Sequence, residues 1–168
     1  TRLLTTEQYG QYTIYSSWSG ILIIFLTLNL AYGSFQTAMV KFEGRRDEYI
    51  TSIQGISVVL CCVFLAVYLP LRNVWNRLFE LPTPFVLLMV AEIIFSTATQ
   101  LWMEKNRFEF KYKSVVVVTL LTSILSPVIA FILVSLVSEK GYARIFGYAI
   151  VNILIGFILF IYNSQKGK

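Results

Sequence analysis

Histidine is absent from these 168 residues, and with it goes the commonest general base and metal ligand. Cysteine is scarce: Cys61 and Cys62 stand side by side in an apolar run, which suits neither a disulfide framework nor metal-ligand spacing. Charge is the third deficit. Only 14% of the residues are charged, against about a quarter in an ordinary soluble domain. No Walker loop, zincin pair, Ser–His arrangement or deaminase signature occurs in the chain. The expectation is therefore a protein that is not an enzyme and has no cofactor or metal.

What fills the space is apolar. The chain is 57% hydrophobic and carries 13 Phe, 10 Tyr and 3 Trp. Tyr and Trp favour the headgroup level of a bilayer, and lipid-facing surface has no use for charge. The net charge of +5 fits positive inner loops better than nucleic acid. The chain begins at Thr1, and nothing before Gln11 resembles the apolar core of a signal peptide, so we expect a piece of something longer.

Long apolar runs, separated by short polar segments, predict an all-α, polytopic transmembrane bundle. Five spans are expected, at about 13–40, 51–69, 84–103, 114–138 and 145–162, forming one partial lobe as a single domain. Each is near the roughly 20 residues needed to cross the hydrocarbon. The runs lack the short alternating segments of a barrel. In the first, Gly20, Thr27, Ala31, Ser34 and Ala38 share one helical face, while Asn29, Gly33 and Gln36 lie roughly opposite. A helix polar on two sides belongs inside a bundle or along a cavity. Residues 71–81 read as an amphipathic interfacial segment, with Trp75, Leu78 and Phe79 at the interface. The fourth run is long enough to require a tilt or a bend, with Pro127 the place for one.

Basic residues set the orientation. Lys41, Arg45, Arg46, Lys105, Arg107, Lys111, Lys113, Lys166 and Lys168 fall on one side, and Arg2, Arg72, Arg77, Lys140 and Arg144 on the other. The positive-inside rule assigns the first set to the cytoplasm, with the N-terminus of the chain outside and its C-terminus inside.

The sharpest polar feature is Glu92, in the middle of the third span. The span's nine Leu, Ile, Val and Phe residues favour insertion by roughly 3–5 kcal/mol, against about 2.5–3.5 kcal/mol for a central ionised group. Insertion is narrowly favoured and improves if Glu92 turns towards polar partners. Ser96, Thr99 and Gln100 share its face. Glu92 is either a proton or cation site or a structural carboxylate bonded to a neighbouring helix. Thr119, Thr122, Ser123 and Ser126 form a second stripe, suited to packing or to a hydrophilic ligand. Asn152, with Tyr148 and Gly156 on its face, either joins two helices or lines a cavity. From Lys105 to Lys113, cations alternate with Phe108, Phe110 and Tyr112. That composition makes an interfacial anchor or a receiver for a phosphorylated lipid headgroup, and Arg45 and Arg46 invite the same two readings.

Several stretches carry a resemblance: RLLTTEQYGQYTIYSSW, LNLAYGSFQTAMVKFEGRRDEYITSIQG, NRFEFKYKSVVVVTLLTSILSPVIA and GYARIFGYAIVNILIGF. Together they resemble the oligosaccharide flippases of the MOP superfamily, the O-antigen and capsule repeat-unit transporters of polysaccharide biosynthesis. The resemblance implies twelve helices in two six-helix lobes, with this chain supplying helices two to six of the first. It implies movement of undecaprenyl-diphosphate-linked oligosaccharide across the bacterial inner membrane for surface polysaccharides such as lipopolysaccharide, by alternating access coupled to H+ or Na+. Its partners would be the bilayer, the lipid-linked oligosaccharide and other polysaccharide-assembly membrane proteins. Glu92, Ser96, Thr99, Asn29 and Asn152 would couple ions or line the cavity, and Arg45, Arg46, Arg107 and Lys111 would meet the headgroup at the cytoplasmic entrance. One departure stands out: a cavity for a diphosphate should be cationic, yet no Lys or Arg lies mid-span. The alternatives are another exporter of the superfamily (for drugs, toxins or peptidoglycan precursor), an envelope-glycan enzyme, or a membrane subunit that transports nothing.

Overall fold

The computed structural model describes residues 5–31, 35–137 and 139–167. Among them are seven α-helices and no strand: α1 Thr6–Thr27, α2 Phe35–Lys41, α3 Arg46–Tyr68, α4 Arg72–Phe79, α5 Thr83–Phe108, α6 Tyr112–Leu136 and α7 Lys140–Lys166. The expected helical membrane bundle is present. Four helices, α3, α5, α6 and α7, are long and apolar enough to cross a membrane.

The first expected span differs: 13–40 is not one helix. Its break has a local cause. The Thr27 hydroxyl donates to the Ile23 carbonyl at 2.6 Å and accepts the Asn29 amide at 3.3 Å. Leu28 and Asn29 then take left-handed backbone angles, with φ of 49° and 50°. A side chain that offers the backbone such a partner competes with the helical ladder. The helix before the break is also less apolar than the others, because Ser16, Ser17, Ser19 and Gly20 occupy its middle. It packs nonetheless against α3, α5 and α7. The expected faces built on Gly33 and Ser34 lie outside the described residues, as do Arg2, Ser138 and Lys168.

Helix ends follow the chemistry of their first and last turns. A reciprocal capping box between Thr5 and Gln8 starts α1. Asp47 and Glu48 sit in the first turn of α3, and Lys105 and Arg107 in the last turn of α5, each charge placed where the helix dipole favours it. Pro82 and Pro84 open α5. Pro127 lies inside α6, which continues through it as one helix.

α5 and α7 form the centre. A Cβ at Gly156 would run into the backbone of Phe95, and one at Gly147 into Ala130 of α6. Small residues thus let α7 approach both neighbours closely. α6 leans mainly on α7 and leaves Val117, Leu120, Ile124, Phe131 and Leu136 exposed, as a lipid-facing helix should.

Two apolar cores stack along the bundle. One gathers Leu22, Cys61, Tyr68, Phe79, Met89 and Ile93; the other holds Ala31, Phe35, Met39, Ile50, Ile53 and Leu101. Within 71–81, the expected interfacial segment, α4 is amphipathic but Phe79 is fully buried against Trp18, while Leu78 stays exposed. Asn76 ties it down, accepting from the Tyr68 hydroxyl at 2.6 Å and donating to Thr83 at 2.8 Å. Contacts between Lys105 and Asp47, and between Thr51 and Asn163, bring the basic segments around 41–46, 105–113 and 166 to one end of the bundle. Arg144 stacks on Tyr9 and Tyr12 at the other.

Candidate functional site

Glu92 projects from α5 between α1 and α7. One carboxylate oxygen accepts the Tyr15 hydroxyl at 2.7 Å and the other accepts the Asn152 amide at 2.9 Å. The geometry follows from spacing. Gly156 lies one turn beyond Asn152 and Phe95 just under one turn beyond Glu92, so the close approach of those two turns sets carboxylate and amide opposite each other. Ionised or neutral, the carboxyl group has polar partners in place of lipid, which removes most of the penalty of holding it in the membrane.

The site is not sealed. A cavity of about 150 Å³ adjoins Glu92, lined also by Tyr12, Ser16, Ser19, Tyr148 and Asn152. Asn152 faces a second cavity too, of about 210 Å³, whose wall carries Ser96, Thr99, Gln100, Thr122, Glu104 and Arg107. Glu104 and Arg107 in turn border a wide cleft of about 880 Å³ with Gln36, Arg46, Glu109 and Tyr112. Neighbouring cavities thus share wall residues, and the three follow one another along α5 as a polar track from Glu92 to the cation-rich end.

Charges lining that cleft are paired. Lys105 reaches Asp47 at 2.5 Å and Glu109 at 3.7 Å. Glu109 also takes Lys111 at 2.6 Å and lies 4.0 Å from Arg46. Arg46 donates to the Met39 carbonyl at 2.9 Å and stacks over Phe108. Arg107 binds Glu104 at 2.7 Å. The hydrogen bond to Glu109 raises the Lys111 pKa above the ordinary lysine value. Outside the cleft, exposed Arg45 binds Glu48 at 2.6 Å.

Of the residues singled out in the sequence, Glu92 and Asn152 come together directly. Ser96 and Thr99 sit lower on the same track, their hydroxyls turned to the Ile93 and Phe95 carbonyls at 3.2 Å. Arg46 and Arg107 line the cleft. Asn29 does not join them: it is exposed at the break after α1. Arg45 and Lys111 are exposed beside their acidic partners. The second stripe splits, with Thr122 on the middle cavity and Ser126 buried.

Two features were missed. Tyr15 reads as an interfacial aromatic, and nothing local marks it as a carboxylate partner. Buried Gln54 and Asn163 form a knot between α3, α5 and α7. Asn163 donates to Gln54 and to the Ala98 carbonyl, each at 3.1 Å, and Gln54 donates to Ser164 at 3.1 Å. In the sequence Gln54 falls near the start of the second expected span and Asn163 at the start of the polar tail, and nothing local pairs residues so far apart.

Residues 1–167 match the sequence model of a family described as polysaccharide biosynthesis protein. The chain matches no curated protein and no solved structure.

Proposed function

Because the chain belongs to the polysaccharide biosynthesis protein family, we propose that it forms part of a transporter of lipid-linked oligosaccharide. The cargo would be the undecaprenyl-diphosphate-linked repeat unit of a surface polysaccharide. It would cross the bacterial inner membrane by alternating access, with the cation-rich end of the bundle in the cytoplasm, and the chain would do no covalent chemistry. One observation carries this reading: the succession of polar cavities along α5, from a mid-helix carboxylate to a cleft of paired cations. A hydrophilic headgroup needs such a path, and a diphosphate can exchange with Glu104 and Glu109 for Arg107, Arg46 and Lys111. Glu92 is the coupling group, since taking up a proton changes its bonds to Tyr15 and Asn152. The cations absent from mid-span would come from parts of the protein beyond this chain, as the flippase resemblance implies.

The same two hydrogen bonds favour a second reading, in which Glu92 only joins α1, α5 and α7. One experiment separates them. The full reading frame is expressed in a strain lacking its repeat-unit flippase, and surface polysaccharide is measured. Transport restored by the wild type and slowed by Glu92→Gln, at equal membrane abundance, supports coupling. Undiminished transport by the variant assigns Glu92 to structure, and failure of the wild type to restore polysaccharide sinks the transporter reading.

A further inference from the structure

We infer that the cavity between α1, α5 and α7 is a saccharide subsite, receiving one sugar ring against Tyr12 and Tyr148 beside Glu92. The inference rests on the transporter reading and adds to it the part of the cargo bound there.

The cavity combines what a sugar ring presents. A pyranose has apolar C–H faces and a rim of hydroxyls, so it calls for aromatic faces together with donors and acceptors. Tyr12 and Tyr148 supply two rings in tilted contact, centroids 6.0 Å apart and planes inclined at 46°, which together make one aromatic wall. Arg144 lies 4.2 Å from the Tyr12 centroid and steadies that ring by a cation–π contact. Glu92 and Asn152 supply the strong polar groups. The hydroxyls are the decisive part. On α1 and α5, Thr13, Thr27, Ser96, Thr97 and Thr99 donate to backbone carbonyls of their own helix. Among the described residues, Tyr12, Ser16, Ser19 and Tyr148 make no such bond, and none of their oxygens is buried without a partner. Their hydroxyls face open space with capacity to spare. A volume of about 150 Å³, about that of five waters in the liquid, takes one ring and not an oligosaccharide. A bare metal cation fits less well, because Glu92 is the one carboxylate in the lining and much of the wall is aromatic.

The position fixes which ring is bound. Glu92 and Arg107 are fifteen residues apart on α5, about 22 Å along the helix. With the diphosphate at Arg107, the ring at Tyr148 is a distal one. Short headgroups do not reach it.

The test uses the full-length protein in nanodiscs and two probes: undecaprenyl diphosphate, and the lipid-linked oligosaccharide extracted from the source cells. The wild type is expected to bind the second about tenfold more tightly. Tyr148→Leu should remove that preference and leave the bare lipid unchanged, whereas Tyr148→Trp should keep it. Ser19→Leu, which fills the cavity and leaves both tyrosines in the sequence, should act like Tyr148→Leu. Equal binding of the two probes by the wild type overturns the subsite alone. So does a Tyr148→Leu loss that is equal for both probes. Binding of neither probe by the wild type overturns the subsite together with the transporter reading beneath it.

Discussion

Two polar clusters hang from the same pair of helices and differ in almost every other respect. Around Gln54 and Asn163, side chains from α3, α5 and α7 bond one another and the Ala98 carbonyl, and both residues are under 5% exposed. Around Glu92, the partners are as close, but the residue is only partly buried and a cavity lies beside it. The first cluster has its main donors and acceptors matched internally, leaving no purchase for a ligand. The second leaves hydroxyls unpaired and space beside them. Polarity inside a membrane bundle is thus of two kinds, and the unoccupied bonding capacity separates them better than the residue type does.

That contrast can be broken at several points. The largest effect is expected from Gly156→Leu. Its side chain would meet the Phe95 backbone, force α5 from α7 and disrupt both clusters together, so monodisperse protein should be lost in size-exclusion chromatography. Asn163→Leu should strike the sealed cluster alone. It strands the Gln54 amide oxygen at a cost of about 1–3 kcal/mol, seen as a lower thermal midpoint with the transport rate per folded molecule unchanged. Glu92→Gln should do the reverse. The amide keeps the shape and can still accept from Tyr15, so the midpoint should hold while transport falls about tenfold or more. A fall in the midpoint comparable to that of Asn163→Leu would erase the distinction between the two clusters. Smallest are the exchanges Arg107→Lys and Lys111→Arg. If these cations only anchor the bundle, transport stays at the wild-type rate; a clear loss assigns them to headgroup recognition, where the planar guanidinium and the ammonium are not equivalent.

Apolar runs and proline punctuation were enough to place the helices, because hydrocarbon leaves few ways to satisfy a backbone. Their ends were less legible. α5 runs to Phe108 and α7 to Lys166, several residues past the apolar stretch, since a helix continues in the interface wherever its side chains are held. Lys105 and Asn163 are held in this way. The break at Leu28 escaped notice because it depends on a single Thr27 hydroxyl within an apolar context. Of the candidate site, Glu92 announced itself by its cost and Asn152 by its isolation. Their pairing, 60 residues apart, needed the Gly156 contact to be seen. Tyr15 could not be found from sequence, since an aromatic near a span end is ordinary.

The interruption after Thr27 also separates α1 from α2 mechanically. α2 belongs to the core of Ile50 and Leu101, while α1 belongs to that of Phe79 and Met89. α2 can therefore loosen without unravelling α1, whose turns around Tyr15 stay helical. Amide hydrogen exchange should register this as two separate protection levels, with α2 exchanging at its own rate and not at the rate of α1.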